Sequence, residues 1–312
     1  MTSAEITVQP SARPALARTR IRWGEQLVHL VLFIAAAISV LTTVGIVVSL
    51  VLPALEFFGE VSPVDFFTGT TWAPLFLDAQ FGVLPLVVGT LMISFWSALV
   101  AFPLGLGVAI YLSEYANRRA TAFLKPILEI LAAIPTVVLG YFALTFVTPF
   151  LRDQVGLQVE IFNALSASLV LGIMLIPTVG TLAEDAMAAV PRELRDGGYA
   201  LGADKLQVST RIVVPAAISG IIAAFVLAFS RAVGETMIVL IAAGQLAQIT
   251  FDPRQTIETI TAFIGATGNG DVPTGSIEYK TIFAVGLTLF VMTLVMNLIS
   301  IRLVRKYREI YE

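Results

Sequence analysis

The sequence predicts an all-α polytopic membrane protein with six transmembrane helices, and three observations predict it. Of its 312 residues 57% are hydrophobic and only 13% are charged, whereas soluble domains carry about 25% charge. Apolar runs of about 18 residues or more recur, enough for a helix to cross a bilayer. The 19 lysines and arginines are grouped: all but Arg152, Arg231, Arg254 and Lys280 fall in the N-terminal arm, two loops and the tail.

The composition also excludes several chemistries. There are no cysteines, hence no disulfide framework and no thiolate nucleophile. The one histidine, His29, cannot assemble a metal site alone and reads as structural or interfacial. No Gly-x-x-x-x-Gly-Lys-Ser/Thr stretch is present, so if ATP drives the protein another polypeptide binds it. No basic patch interleaved with aromatics occurs, and no nucleic-acid partner is expected. No catalytic constellation emerges, so the chain is not expected to be an enzyme.

Three regions are expected: a cytoplasmic arm over 1–27, a transmembrane domain over 28–305 and a cytoplasmic tail over 306–312. The first span is Val28 to Leu52, too long for a signal peptide's apolar region, and Pro53 is expected to end it. An outer segment, 54–83, follows. The second span is Leu84 to Leu112, where Pro103, Gly105 and Gly107 predict a kink or a close helix contact. Glu114 to Lys125 reads as a loop. The third span is Ile127 to Leu151 with Pro135 inside. Glu129 lies near its start, where a carboxylate favours a helix N-terminus. A polar turn, Arg152 to Asn163, leads to the fourth span, Ala164 to Ala183. The fifth span is Ala216 to Gly244 and the sixth Thr281 to Leu303. Between them lies a second outer segment, 245–280, whose glycines mark turns.

The grouped charges set the orientation. The arm, the loop after the second span, the loop after the fourth and the tail all lie on one side, and positive loops face the cytoplasm. Both termini are therefore expected inside.

Arg231 is the most informative single residue. It lies 16 residues after Pro215 and 13 before Gly244, near mid-membrane at about 1.5 Å per residue. An arginine there costs at least about 2.5 kcal/mol, so it must face a partner or a wet cavity. Glu235, four residues on, is expected on the same helix face. Two readings stay open: an internal ion pair, or a substrate path. In the second, the guanidinium grips a tetrahedral oxyanion. Glu235 then accepts the proton of hydrogen phosphate and repels sulfate.

The chain is organised around the island from Asp196 to Pro215, between the fourth and fifth spans. Asp196, Gly197, Gly198, Gly202, Ala203, Ile212, Val214 and Pro215 match a spacing: acid and two small residues, three residues, Gly, nine residues, Ile, any residue, an aliphatic, Pro. This resembles the Glu-Ala-Ala loop of binding-protein-dependent ABC importer permeases. In that family the loop forms a short coupling helix docked on the ATPase. The departure is Gly197-Gly198 in place of two alanines, which weakens a helix by about 1 kcal/mol per glycine.

A second resemblance is narrower. Ser230-Arg-Ala-Val-Gly-Glu-Thr236 is similar to a stretch of phosphate-specific permeases. So are Glu129-Ile-Leu-Ala-Ala-Ile-Pro-Thr136 and the run from Pro103 to Tyr115, while Thr68-Gly-Thr-Thr-Trp72 points to the PstC type. The resemblance implies the type I (MetI-like) importer permease fold, a plasma-membrane location and Arg231 and Glu235 on the substrate path. It implies a second permease as heterodimer partner, an ATPase dimer holding ATP and Mg, and an extracytoplasmic phosphate-binding protein. No cofactor is expected on this chain. Rival readings are a permease for sulfate or molybdate, and a stand-alone secondary transporter, which would lack a use for the island and often shows internal repeats.

Overall fold

The computed structural model describes residues 23–307. The expected arm up to residue 22 and the last residues of the tail, from 308, lie outside the described residues. Contacts divide the chain after Ser49. In the first unit, residues 24–49 form the start of helix α1, Trp23–Glu60, and no residue of that helix's most apolar stretch is buried. Such a surface suits lipid.

The second unit holds the rest. Helix α1 continues through Pro53, which was expected to end it. A proline inside a helix costs about 3 kcal/mol, but Ala54 and Phe57 beyond it are fully buried. Phe57 meets Phe58, Phe66 and Phe81 edge-to-face at 5.4–5.6 Å, and that packing outweighs the lost bond. Helix α2, Pro63–Thr68, and a two-stranded antiparallel ribbon, β1 Trp72–Ala73 with β2 Gln80–Phe81, complete the outer segment.

Helix α3, Leu84–Ile110, ends in a π-turn, Tyr111–Tyr115. The expected loop from Glu114 is short, because Asn117 accepts from Ala120 N and starts α4, Arg118–Ala133. No residue of α4 is buried, and Glu129 sits exposed deep inside it rather than at its N-terminus. The cap is Asn117, so Glu129 caps nothing. The third span is not straight. It bends by 87° at Ile134-Pro135 before continuing over Thr136–Gln154, since a residue before proline is pushed out of the helical region. That second arm consists of α5, Thr136–Phe142, and two π-turns.

Helix α6, Ala164–Ala188, is the core element. It runs parallel to α3. Gly172 meets Ser97 and Val100, Gly105 meets Val179, and Gly180 meets Val108. Small residues let the two backbones approach, as in membrane helix pairs. The island forms α7, Arg192–Ala200, then α8, Lys205–Val208, a π-turn, and α9, Val214–Ala216.

The expected fifth span begins just after a 73° bend at Ala217 that separates the island from α10, Ile218–Val233, and it is broken once, before α11, Met237–Ala242. Helix α10 lies antiparallel to α6, with Gly220 on Ala186 and Phe225 stacked on Phe102 of α3 at 4.4 Å. A loop then leads to α12, Ile260–Gly268, and the long α13, Ile277–Tyr307. Among the described residues four helices are long and apolar enough to cross a membrane, or up to six spans if each bent pair counts as one.

Candidate functional site

Both ends of α6 are fixed, which orders the sites along it. At its start, Ala164 N donates to Gln255 O and Asn163 N to Ala242 O, so residues 242–256 lie there. At its finish it leads directly into α7. The island and the segment before α12 therefore occupy opposite ends.

The island is helical despite its glycines. Gly198 is buried, and a Cβ on it would come 2.5 Å from Ile212 Cδ1 and 3.1 Å from Val208. The missing methyl lets α7 lie flat on the next turn, so Gly198 stands where close packing is required. Asp196 and Gly197 are exposed on the other face. Gly202 has φ +82° and turns the chain, a conformation open to glycine at little cost. Ala203 follows, and Asp204 with Gln207 forms a capping box that starts α8. Val214 and Pro215 close the unit as α9. Tyr199, Leu201 and Leu206 project, Leu201 being 90% exposed. Sequence reasoning passed over these three because they lie between the motif positions.

Arg195 anchors this unit. Its Nη2 donates to Glu114 Oε1 at 2.9 Å and to Met187 O at 2.9 Å, and its Nη1 donates to Val190 O at 2.6 Å. One side chain thus joins α7 to the end of α6 and the foot of α3. Beside it Lys125 pairs with Glu184 at 2.7 Å, tying α4 to α6. The sequence held a signal in the placement of Arg195 next to Asp196, but not its partner 81 residues away.

Arg231 lies in the last turn of α10, where a cation complements the helix dipole. Its Nη1 donates to Thr178 Oγ1 at 3.2 Å, and Thr178 lies near the middle of α6. Arg231 therefore sits level with the middle of α6. The helix-face argument does not hold. Helix α10 stops at Val233, and Glu235 Oε1 accepts instead from Met237 N at 3.1 Å and Ile238 N at 3.3 Å. The carboxylate satisfies the first amides of α11, and Thr261 Oγ1 fastens the Glu235 carbonyl at 2.6 Å. Arg231 and Glu235 form no ion pair. Arg231 is exposed, with no carboxylate partner among the described residues, so most of its five donors face outward beside Thr178.

Among the described residues no group of His, Cys, Asp and Glu could hold a metal ion. Residues 101–309 match the family described as binding-protein-dependent transport system inner membrane component. The chain belongs to that family. This ABC importer permease is 36% identical over 260 residues to the probable ABC transporter permease protein YqgH of Bacillus subtilis, covering 83% of this chain and 84% of that one. It is 32% identical over 284 residues to the phosphate transport system permease protein PstC of Mesorhizobium japonicum, with the same shares covered. Its fold is that of the permease in inward-facing structures of the MetNI methionine ABC transporter, at TM-score 0.58, 20% identity and coverage of 73% of this chain and 98% of that one. The MetI-like fold expected from the sequence is the one found. Family membership removes the stand-alone transporter, and the permease is a multi-pass component of an inner-membrane transport system.

Proposed function

We propose that this permease is one of two membrane-spanning subunits of an ATP-driven phosphate importer. The observation that carries the reading is Arg231: a guanidinium at mid-depth, outward-facing, held by Thr178 and not neutralised by Glu235. A free arginine at that depth is costly unless a partner or an anion meets it. The similarity to PstC of Mesorhizobium japonicum supports phosphate as that anion. Glu235 contributes by holding the break between α10 and α11, which sets the end of the helix that carries Arg231.

In this reading Asp196, Gly197, Gly198, Gly202, Ala203 and Pro215 form the coupling unit. Tyr199, Leu201 and Leu206 insert into the ATPase dimer, which binds ATP and Mg. Both termini and the island face the cytoplasm, following the positive-inside rule. An extracytoplasmic binding protein delivers phosphate at the opposite end, and a second permease covers the open side of Arg231. The test is uptake of labelled phosphate by the assembled complex in proteoliposomes, compared with sulfate and molybdate. Uptake of another oxyanion with phosphate excluded would move the assignment to that anion.

A further inference from the structure

The end of the fold remote from α7 contains a cavity of about 450 Å³. Trp72, Leu246 and Phe263 form apolar walls, and Gln245, Glu258, Thr267 and Asp271 supply the polar ones. No lysine or arginine lines it. Glu258 is only 8% exposed, and its carboxyl makes no hydrogen bond or ion pair with any described residue. Trp72 Nε1 is likewise buried without a partner. Buried polar groups in proteins take hydrogen-bond partners, and both of these groups stand on the cavity wall, where a group entering the cavity can reach them.

The wall is firmly built. Ile260 N donates to Thr90 Oγ1 of α3 at 3.0 Å. Gly89 lets the Glu258 backbone lie against α3, since a Cβ there would strike the Glu258 carbonyl. Trp72 stands edge-to-face on Phe263 at 4.9 Å. The Glu258 backbone is thus held against α3.

The chemistry of the occupant follows from the charges. Glu258 and Asp271 are the titratable groups on the lining, and both repel an anion, so the cavity is no station for phosphate. A neutral apolar occupant would leave Glu258 unpaired, which is costly. A long basic side chain meets both needs, with a methylene stem for the aromatic wall and a cation for the acid. We propose that this cavity is a socket for one Lys or Arg side chain of the solute-binding partner, with Glu258 as its counter-ion. The proposal rests on the importer reading above. Burial pushes the Glu258 carboxyl up to about 7, and an arriving cation would restore its charge.

The experiment measures ATP hydrolysis by the assembled complex in nanodiscs against the concentration of substrate-loaded binding protein. Glu258→Gln should raise the half-maximal concentration about tenfold, and Glu258→Lys should raise it further. Millimolar n-butylamine should compete in the wild type and lose its effect in Glu258→Gln. Melting temperatures of the variants report whether each is folded, and Glu258→Asp serves as a charge-retaining variant with partial recovery. Equal half-maximal concentrations for wild type and a folded Glu258→Gln would overturn the socket while leaving the importer reading intact. Absence of any stimulation of the wild type by the binding protein would overturn the importer reading, and the socket with it.

Discussion

Arg195 of α7 and Glu114 at the foot of α3 form a buried ion pair, 2.9 Å long, with side chains 16% and 5% exposed. The same guanidinium holds the carbonyls of Met187 and Val190. A force on the island therefore reaches α3 and α6 together, and those are the two parallel helices at the centre of the fold. Arg195 thus links the island to both of those helices at once.

The first prediction concerns that pair. Arg195→Gln leaves Glu114 buried without its cation, and breaking a buried pair costs about 3 kcal/mol or more. The complex should still bind and hydrolyse ATP, but phosphate uptake per ATP should fall at least tenfold. Glu114→Gln combined with Arg195→Gln should be no worse than Arg195→Gln alone, because the stranded charge is gone. The measurement is uptake and hydrolysis in the same proteoliposomes. Unchanged stoichiometry in the Arg195 variant would sink this role.

The island glycines give a second prediction with opposite signs at adjacent residues. Gly197 lies in α7 with open space around it. Gly197→Ala should stabilise the helix by up to about 1 kcal/mol and raise the melting temperature slightly. Gly198→Val should do the reverse, because Ile212 and Val208 already fill the volume. Gly202→Asp forces a side chain onto φ +82°, costs about 1 kcal/mol and puts a charge on the docking surface, so uptake should drop with assembly impaired. A melting series with pull-down of the ATPase separates these effects.

Glu258 gives a pH dependence whose sign is fixed. Burial raises its carboxyl from the ordinary 4.5 to about 7. The native state therefore keeps a proton that the unfolded chain releases above about pH 4.5. Its contribution is fully present below that pH and is lost as pH rises to about 7, by at most roughly 3 kcal/mol. The melting temperature of the wild type should fall between pH 5 and 8, and Glu258→Gln should flatten that slope. A wild type and variant with parallel pH profiles would contradict the burial.

Much of this fold was legible in the sequence, and the failures share a cause. Spans two, four and six were readable because their apolar runs are uninterrupted, and α3, α6 and α13 cover them. Hydropathy counts residues but is blind to direction. It therefore reads 127–151 and 216–244 as single spans, whereas the first bends sharply at Pro135 and the second breaks between Val233 and Met237. Proline was misjudged in both directions: Pro53 is passed because Phe57 is buried beyond it, and Pro135 is not. The island is legible by spacing, but spacing does not tell its glycines apart: Gly198 is a packing residue, Gly202 a turn residue, and Gly197 faces open space. Glu258 carries no signal in the sequence beyond its place in the outer segment 245–280, since burial of a loop residue has no periodic signature. Glu235 was misplaced for a physical reason: a carboxylate next to free amides caps a new helix in preference to reaching back four residues.

The last prediction concerns Arg231 and Glu235. Because the two are not paired, the outcome expected for an ion pair, rescue of a single variant by the double, should not occur. Arg231→Gln should abolish phosphate uptake, since an amide supplies no charge at mid-depth. Arg231→Gln with Glu235→Gln should be equally inactive. Arg231→Lys should retain a little transport, because an ammonium lacks the planar fork that matches an oxyanion. Glu235→Gln should be mild, its amide oxygen still accepting from Met237 and Ile238, while Glu235→Leu leaves those amides unpaired and costs about 1–3 kcal/mol. Thr178→Val removes the hydroxyl that orients the guanidinium and should lower uptake several-fold with little loss of stability. The assay is labelled phosphate uptake by all six variants at matched expression, with melting temperatures alongside. Recovery of uptake in the Arg231, Glu235 double variant would show that the charges compensate each other in the working transporter. Arg231 would then be a structural partner of Glu235 rather than a ligand of the anion.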